Sequence, residues 1–310
     1  MARPRNLQAH SSLTSAQETE LLAQARGDAG PEGRKALSKL LQAHQGGLRA
    51  TIRSLVGHPK DLEDVLQEAL VEAFTNLEVA PTALSFSPWL RGLAVQKSSE
   101  FLALQRKWRP AAQLRVQEYC AATETTADVV ATFAEEGFAF DVKSHVSFCM
   151  TALGRSLPME EQFAVVLVDV LGLSLVEAAR VQRINDDSLQ RYLSNGRTNL
   201  ELLFGRLCGL VDPKNPCDLC RGLRSVAPEN SRGIDPDTLG FDTGSAEERL
   251  HRRLKIVSEA DLDAGPTHSL HDFLFELMSQ AEANRETPKD QDDHLPTQPS
   301  RWEDLQTFNN

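Results

Sequence analysis

Three cysteines that lie close together in the sequence have the clearest capacity for chemistry. Cys217 and Cys220 have the C-x2-C spacing that lets two thiolates hold one soft metal ion, and eight residues separate Cys217 from Cys208. Tetrahedral zinc takes four ligands. Cys149, on the predicted helix that opens a second helical domain, is the fourth candidate, and His145, one helical turn away, is the reserve. The pattern predicts one structural zinc ion held by Cys208, Cys217, Cys220 and Cys149.

Two alternatives to zinc stay open for these thiols. One is a reversible Cys217–Cys220 disulfide, and the other is a set of unreactive thiols. A structural disulfide framework is not expected, because the chain has five cysteines and its basic start, residues 1–5, is not followed by the apolar stretch of an export signal. Cys120 is predicted to be an ordinary free thiol. Arg221, rather than His, follows Cys220, which argues against c-type haem attachment.

The elements that must position these cysteines are predicted to be helices, so the fold class is all-α. Apolar residues recur at helical spacing from residue 17 to about 109, from 142 to 208 and from 246 to 282, and signals for strands are few. Five acids and no Lys or Arg occur from 120 to 141. The predicted organisation is a helical domain at 17–110, an acidic linker at 111–141, a second helical domain at 142–206, a small cysteine-containing extension at 207–282 and a disordered tail at 283–310.

The overall charge limits how this chain can meet nucleic acid. It has 310 residues and a net charge of −11, whereas a protein that coats DNA through phosphate neutralisation would be basic. Any DNA contact must therefore be local or supported by a partner. The sequence contains no run of 18 apolar residues, so no membrane span is predicted and a cytoplasmic protein is expected. The absence of a Ser-His-Asp order, a Gly-rich phosphate loop or an H-E-x-x-H motif predicts that the chain is not an enzyme.

An acidic amphipathic helix is predicted to begin at Asp61, with Glu63 and Asp64 in its first turn, where the helix dipole favours negative charge. An F-x-x-W-L segment at 86–90 and a basic helix end at 106–109 follow. In this order and spacing the motifs resemble region 2 of extracytoplasmic-function sigma factors. The resemblance implies that the exposed face of the acidic helix docks on a coiled coil of the β′ subunit of RNA polymerase. The implied polymerase-binding residues are Asp61, Asp64, Gln67 and Glu68.

The same resemblance implies that the next helix reads the −10 promoter element. Gln96 and Glu100 stand where the family often has Asn and Asp, which keeps the chemistry and lengthens both side chains. An amide can pair with adenine edges, and Arg and Lys can hold phosphates. The implied −10 contacts are Arg91, Gln96, Lys97, Glu100, Arg106, Lys107, Trp108 and Arg109.

Residues 146–203 resemble region 4 of these sigma factors, a helix-turn-helix that reads the −35 element. A Leu157-Pro158 pair opens the segment, Glu177 lies in the first helix of the motif, and Asn185 is predicted to cap the recognition helix. That helix is expected to enter the major groove with its first turns. The candidate −35 contacts are Ser188, Gln190, Arg191, Ser194 and Arg197.

Two departures from the family pattern lie at this motif. Arg183 occupies a turn position that usually carries Gly, where the backbone can need a positive φ. Asp186 and Asp187 put two negative charges where phosphates approach, and residues 151–206 carry six arginines against seven carboxylates. We therefore expect promoter affinity to depend on polymerase, unless this domain has shifted towards protein contacts.

Two functions are compatible with these patterns. The first is a sigma factor that binds core RNA polymerase and directs promoter-specific initiation, with a cysteine-containing C-terminal extension like that of some family members. Core polymerase, promoter DNA and an anti-sigma factor are the partners that the resemblance implies. The alternative is a sigma-like regulatory protein that binds DNA weakly and acts through protein contacts and a zinc or redox-sensing cysteine site. Apart from zinc, no cofactor is predicted.

Overall fold

The computed structural model describes residues 13–28, 30–57, 59–80, 86–104, 139–259, 271–272 and 274–275. Within these ranges the chain is helical and forms no strand, and an isolated bridge between Cys208 and Cys217 is the β-type pairing present. The predicted all-α fold class is confirmed. No helix in the described part of the chain has both the length and the apolar character needed to cross a bilayer.

Four α-helices build the N-terminal part: α1 at Ser15–Gly27, α2 at Pro31–Val56, α3 at Pro59–Thr75 and α4 at Phe86–Leu104. Thr14 starts α1 through a capping box with Gln17, which satisfies two backbone donors that the first turn leaves open. Pro31 suits the first turn of α2, because that turn needs no amide donor. Apolar faces of α2, α3 and α4 meet in a core that includes Leu40, Leu62 and Leu90.

The second helical part contains α5 at Val142–Gly154, α6 at Met159–Val165 with a π-helical turn at Val166–Val170, α7 at Leu175–Gln182 and α8 at Asp186–Leu207. Asp141 begins α5 by accepting hydrogen bonds from the amides of Lys143 and Ser144. Ser174 begins α7 through a capping box with Glu177. These two caps fix where α5 and α7 begin.

The two helical parts share a buried interface. Gln162 Nε2 donates a hydrogen bond of 3.1 Å to the main-chain oxygen of Leu55, close to the end of α2. The last carbonyls of a helix have no partner within it, so a side chain from another element must satisfy them when they are buried. Gln162 is 1% exposed, which places this bond inside the core. A side chain of the second part therefore helps to cap the C-terminal end of α2.

The extension packs back on the second helical part. It contains α9 at Leu219–Val226, two 3-10 turns at Glu229–Ser231 and Pro236–Leu239, and α10 at Ala246–Glu259. Helix α10 lies against α5, α8 and the π-helical turn. Arg249 of α10 pairs with Glu201 of α8 at 2.6 Å. Farther along the chain, Asp272 pairs with Arg53 of α2 at 3.0 Å, so the extension also contacts the N-terminal part.

Candidate functional site

The outer face of α3 presents the residues predicted to bind polymerase. Asp64, Gln67 and Glu68 are exposed, and Asp61 is half-buried. The same face continues with Val71 and Phe74, whose side chains are 56% and 46% exposed. Neither of these two apolar residues was among the predicted polymerase contacts, although the steps from 64 to 67, 71 and 74 follow one helix face. The face is therefore acidic at its start and apolar at its end.

Three of the predicted −10 residues form a polar network on α4. Gln96 Nε2 donates to Glu100 Oε1 at 2.9 Å, and Lys97 Nζ donates to Glu100 Oε2 at 3.0 Å. The bond from Gln96 is the main reason that the pKa of Glu100 is lowered, and the bond to Glu100 is the main reason that the pKa of Lys97 is raised. Both groups are consequently charged at neutral pH. The other predicted contacts, Arg106, Lys107, Trp108 and Arg109, lie outside the described residues.

The fourth predicted −10 residue within the described part of α4, Arg91, is half-buried between helices. A methyl group added at Gly47 of α2 would lie 3.9 Å from Arg91 Nη2. Burial lowers the pKa of Arg91, and the charge of Glu177 on α7 opposes that effect. Arg91 thus lies where α2, α4 and α7 approach one another.

Helix α8 is the helix predicted to be the recognition helix. Asn185 caps it as predicted, since its side chain accepts a hydrogen bond of 2.8 Å from the Ser188 amide. Gln190, Arg191 and Ser194 are exposed, and Ser188 is half-buried. Arg197 instead forms two hydrogen bonds with Asp169 of the π-helical turn, at 2.9 and 2.5 Å. Arg197, one of the five predicted −35 contacts, is therefore already paired with a carboxylate of the same chain.

The cysteines converge on one cavity of about 50 Å³. An isolated bridge joins the backbone at Cys208 and Cys217: the Gly209 amide donates to the Cys217 oxygen at 2.7 Å, and the Cys217 amide donates to the Leu207 oxygen at 2.9 Å. Cys220 follows at the start of α9, and Cys149 faces the cavity from α5. All four are free thiols. The structure thus brings Cys208, Cys217, Cys220 and Cys149 to the same place.

A buried arginine lies beside these thiols. Arg253 of α10 is 1% exposed, and its guanidinium carbon lies 4.3 Å from the ring centre of Phe204 and 4.2 Å from that of Phe241. Its Nη1 atom forms an ion pair with Glu201, whose Oε2 is 3.8 Å away. Burial raises the pKa of Cys208, and the Arg253 charge opposes this rise. No sequence pattern indicated that Arg253 is buried beside the thiols, because a basic residue in an amphipathic helix is usually predicted to be exposed.

The donor set fits a zinc ion in kind and number. Four thiolates around one ion carry excess negative charge, which the buried Arg253 would offset. Burial raises the pKa of Cys149 and Cys220 well above the usual range, so ionisation needs a nearby cation. In the described part of the chain, no three His, Cys, Asp or Glu side chains already have the arrangement of a metal centre. The thiols would have to turn towards a common point to bind an ion.

His145, the reserve ligand, lines the same cavity. It is fully buried, and burial lowers its pKa to about 4, so its ring is neutral near pH 7. Its Nδ1 atom has no hydrogen-bond partner. Its ring lies 5.6 Å from those of Phe148 and His271. The ring is therefore in a protonation state in which a nitrogen can accept a proton or a metal ion.

Comparison with known proteins relates this geometry to one family. Residues 40–109, which include α3 and α4, match the family model Sigma-70 region 2. The chain is 26% identical over 174 residues to the ECF RNA polymerase sigma factor SigM of Mycobacterium tuberculosis strain ATCC 35801 / TMC 107 / Erdman. It is 27% identical over the same length to SigM of strain ATCC 25618 / H37Rv. Each alignment covers 56% of this chain and 80% of the relative.

Proposed function

We propose that this chain is a sigma factor of the extracytoplasmic-function type, which binds core RNA polymerase and directs transcription initiation. A separate role is assigned below to each of its surfaces. The observation that carries this function is the match of residues 40–109 to Sigma-70 region 2, with α3 exposing an acidic face there. The work of such a protein is binding, and no catalytic step is assigned to its residues.

The polymerase contact is assigned to the outer face of α3. Asp64, Gln67 and Glu68 carry the polar part, with Asp61 at the start of the helix. Their exposure supports this role, since the side chains need no rearrangement to meet a partner. Val71 and Phe74 extend the contact with exposed apolar area that binding would remove from water. The partner element is the coiled coil of the β′ subunit.

Promoter recognition is assigned to two helices. Gln96 of α4 supplies an amide for a base edge of the −10 element, while Arg91 and Lys97 supply charge for phosphates. Glu100 orients Gln96 and Lys97 through its two hydrogen bonds. For the −35 element, α8 offers the exposed Gln190, Arg191 and Ser194 together with Ser188 at its capped start. Arg197 joins them only after leaving Asp169.

The cysteine cavity is assigned to one structural zinc ion, with Cys208, Cys217, Cys220 and Cys149 as ligands. The bridge between Cys208 and Cys217 and the nearby start of α9 bring three of them together over a short stretch of chain. Cys149 of α5 makes the site span the second helical part and the extension. A bound ion would therefore link the two, and it would hold α9 against α5.

The test is assembly with bacterial core RNA polymerase. The full chain is mixed with core enzyme, the complex is isolated by size exclusion, and initiation is mapped on genomic fragments. Specific starts that depend on added protein are expected. A chain that fails to bind core under reducing, zinc-supplemented conditions would overturn the proposal.

A second candidate function is a sigma-like regulator that acts through protein contacts. It is favoured by Asp186 and Asp187, which are exposed at the start of α8, and by the pairing of Arg197 with Asp169. Both features weaken contact with phosphates. The outcome that would select this function is stable binding to core, or to an anti-sigma factor, without opening of any promoter.

A further inference from the structure

The buried arginine beside the cysteine cavity is only partly neutralised by its carboxylate. Arg253 Nη1 lies 3.8 Å from Glu201 Oε2, whereas Arg249 binds the other oxygen of the same group at 2.6 Å. One carboxylate thus serves two guanidinium groups, and Arg253 has the longer contact. Because Arg253 is 1% exposed, water cannot compensate the rest of its charge. A buried cation of this kind is stabilised by a further anionic partner nearby.

The thiols are the groups that can supply this negative charge. Arg253 donates a side-chain hydrogen bond to Cys208, and its charge also acts on Cys149. Burial raises the pKa of both thiols, and the Arg253 charge opposes the rise at each of them. Cys208 directly follows α8, and Cys149 lies in α5. Arg253 of α10 therefore acts on thiols from two separate elements.

Two aromatic rings hold the guanidinium of Arg253 in place. Its central carbon lies 4.3 Å from the ring centre of Phe204 and 4.2 Å from that of Phe241. Both phenylalanines are 2% exposed, so the contact is shielded from water. A cation–π contact stabilises the charge without using the N–H donors, which lie in the plane of the group. The charge is thus fixed against two rings, while its donors remain for acceptors such as sulfur.

The charge of a zinc centre in this cavity depends on its fourth ligand. Four thiolates around a divalent ion leave two excess negative charges, whereas three thiolates and a neutral imidazole leave one. His145, on the same helix as Cys149, lines the cavity and is the imidazole available there. A fixed cation beside the thiols stabilises the more negative centre more strongly. Arg253 therefore favours Cys149 over His145 as the fourth ligand.

We propose that Arg253 is a positioning residue of the cysteine centre: it orients Cys208 by a hydrogen bond to sulfur and supplies the positive charge that lets four buried thiolates gather around one divalent ion. This inference rests on the zinc site assigned under the proposed function, and it names the residue that sets the charge of that site and selects its fourth ligand. Groups that hydrogen-bond to a metal ligand orient it, and their loss costs about 10- to 100-fold in metal affinity.

The test measures the zinc affinity of the full chain by competition with a chromophoric chelator under reducing conditions. R253M removes the charge and keeps an apolar stem against the two rings. R253Q also removes the charge but keeps a polar group for Glu201, so it serves if R253M does not fold, and R253K keeps the charge. The matched control is R249M, because Arg249 lies one turn earlier in α10 and binds Glu201 and the Gly244 oxygen rather than a thiol.

R253M and R253Q should bind zinc about 10- to 100-fold more weakly than wild type, R253K should recover most of that loss, and R249M should bind like wild type. With cobalt(II) in the site, the sulfur-to-cobalt charge-transfer band of R253M should move to longer wavelength, because a thiolate that has lost a hydrogen bond gives up electron density more easily. A residue that only packs α10 against α8 would leave that band unchanged. Urea unfolding of the metal-free variants separates fold stability from zinc affinity.

The choice of fourth ligand gives a second readout that leaves Arg253 intact. C149S should lose zinc affinity, whereas H145Q should bind like wild type. Equal affinities in wild type, R253M and R253Q would overturn the role of Arg253 and leave the zinc site standing, and a larger loss in H145Q than in C149S would overturn the ligand choice. If wild type binds no zinc, the site and the role of Arg253 fail together. Failure to bind core polymerase, with these zinc affinities as expected, would remove the sigma-factor function alone.

Discussion

Arg155 Nη1 donates a hydrogen bond of 2.6 Å to the main-chain oxygen of Val56, the last residue of α2. Arg155 is 2% exposed. A guanidinium from the second helical part thus completes the C-terminal end of a helix in the first, where the helix dipole favours positive charge. This bond and that of Gln162 to Leu55 join the two helical parts through buried hydrogen bonds.

Replacing Arg155 should weaken the whole fold. R155M keeps much of the apolar stem but leaves the Val56 carbonyl buried without a partner, so we expect the free energy of unfolding to fall by about 2–3 kcal/mol. Urea denaturation followed by circular dichroism measures it. R206M, which changes an exposed arginine of α8, should alter stability by less than about 0.5 kcal/mol. Equal losses in the two variants would contradict the interface role of Arg155.

The α3 face should control affinity for polymerase without affecting stability. The double change D64R/E68R reverses two exposed charges, and we expect affinity for core enzyme to fall about tenfold or more, because charge complementarity at an interface is lost. Fluorescence anisotropy of labelled protein with core enzyme gives the dissociation constant. The control is E78R, an exposed acid outside α3. Unchanged affinity in D64R/E68R would remove this face from the polymerase contact.

The cap of the recognition helix should be worth about 1 kcal/mol. N185A leaves the Ser188 amide without its side-chain acceptor, whereas N185S keeps an acceptor at the same place. Thermal unfolding should show a lower midpoint for N185A and recovery in N185S. The start of α8 is also the end that would enter the groove, so N185A should reduce promoter-dependent transcription more than N185S does. The cap has no special role if both variants behave alike.

Zinc binding should require four cysteines and release protons. Because burial raises the pKa of Cys149, Cys208 and Cys220, the thiols are protonated before the ion binds, and affinity should increase as pH rises from 6 to 8. Isothermal titration in two buffers of different ionisation enthalpy measures the protons released. Elemental analysis should find about one zinc per chain in wild type and C120S, and much less in C149S, C208S, C217S and C220S. Full zinc content in the triple variant C208S/C217S/C220S would rule out this site.

His145 should make stability depend on pH. Its pKa is about 4 in the folded protein against 6.5 for an unperturbed side chain, so between these values the unfolded chain binds a proton that the folded one does not. Its contribution is complete above about pH 6.5 and is lost as pH falls towards 4. We expect wild type to lose about 1–3 kcal/mol more than H145Q over that window. H251Q, at an exposed position, should behave as wild type, and parallel pH profiles for wild type and H145Q would refute the prediction.

Local patterns in the sequence were sufficient to predict the helices and the motifs. Apolar spacing predicted the all-α class, Asn185 was predicted as a cap from its side chain and position, and the acidic helix with its downstream F-x-x-W-L segment indicated the sigma-70 region 2 that the family model also finds. These features depend on residues within a few turns of each other, where hydrogen bonding and periodicity act directly.

Relationships between distant residues were decided only by the tertiary structure. The sequence suggested Cys149 as a companion of the later cysteines, but the shared cavity, and Arg253 beside it, depend on how α5, α8 and α10 pack. The pairing of Arg197 with Asp169 and the contact of Arg183 with Gln96 join residues 28 and 87 positions apart. Side chains of this kind are polar and long, and their partners are set by the approach of whole helices, which no local pattern encodes.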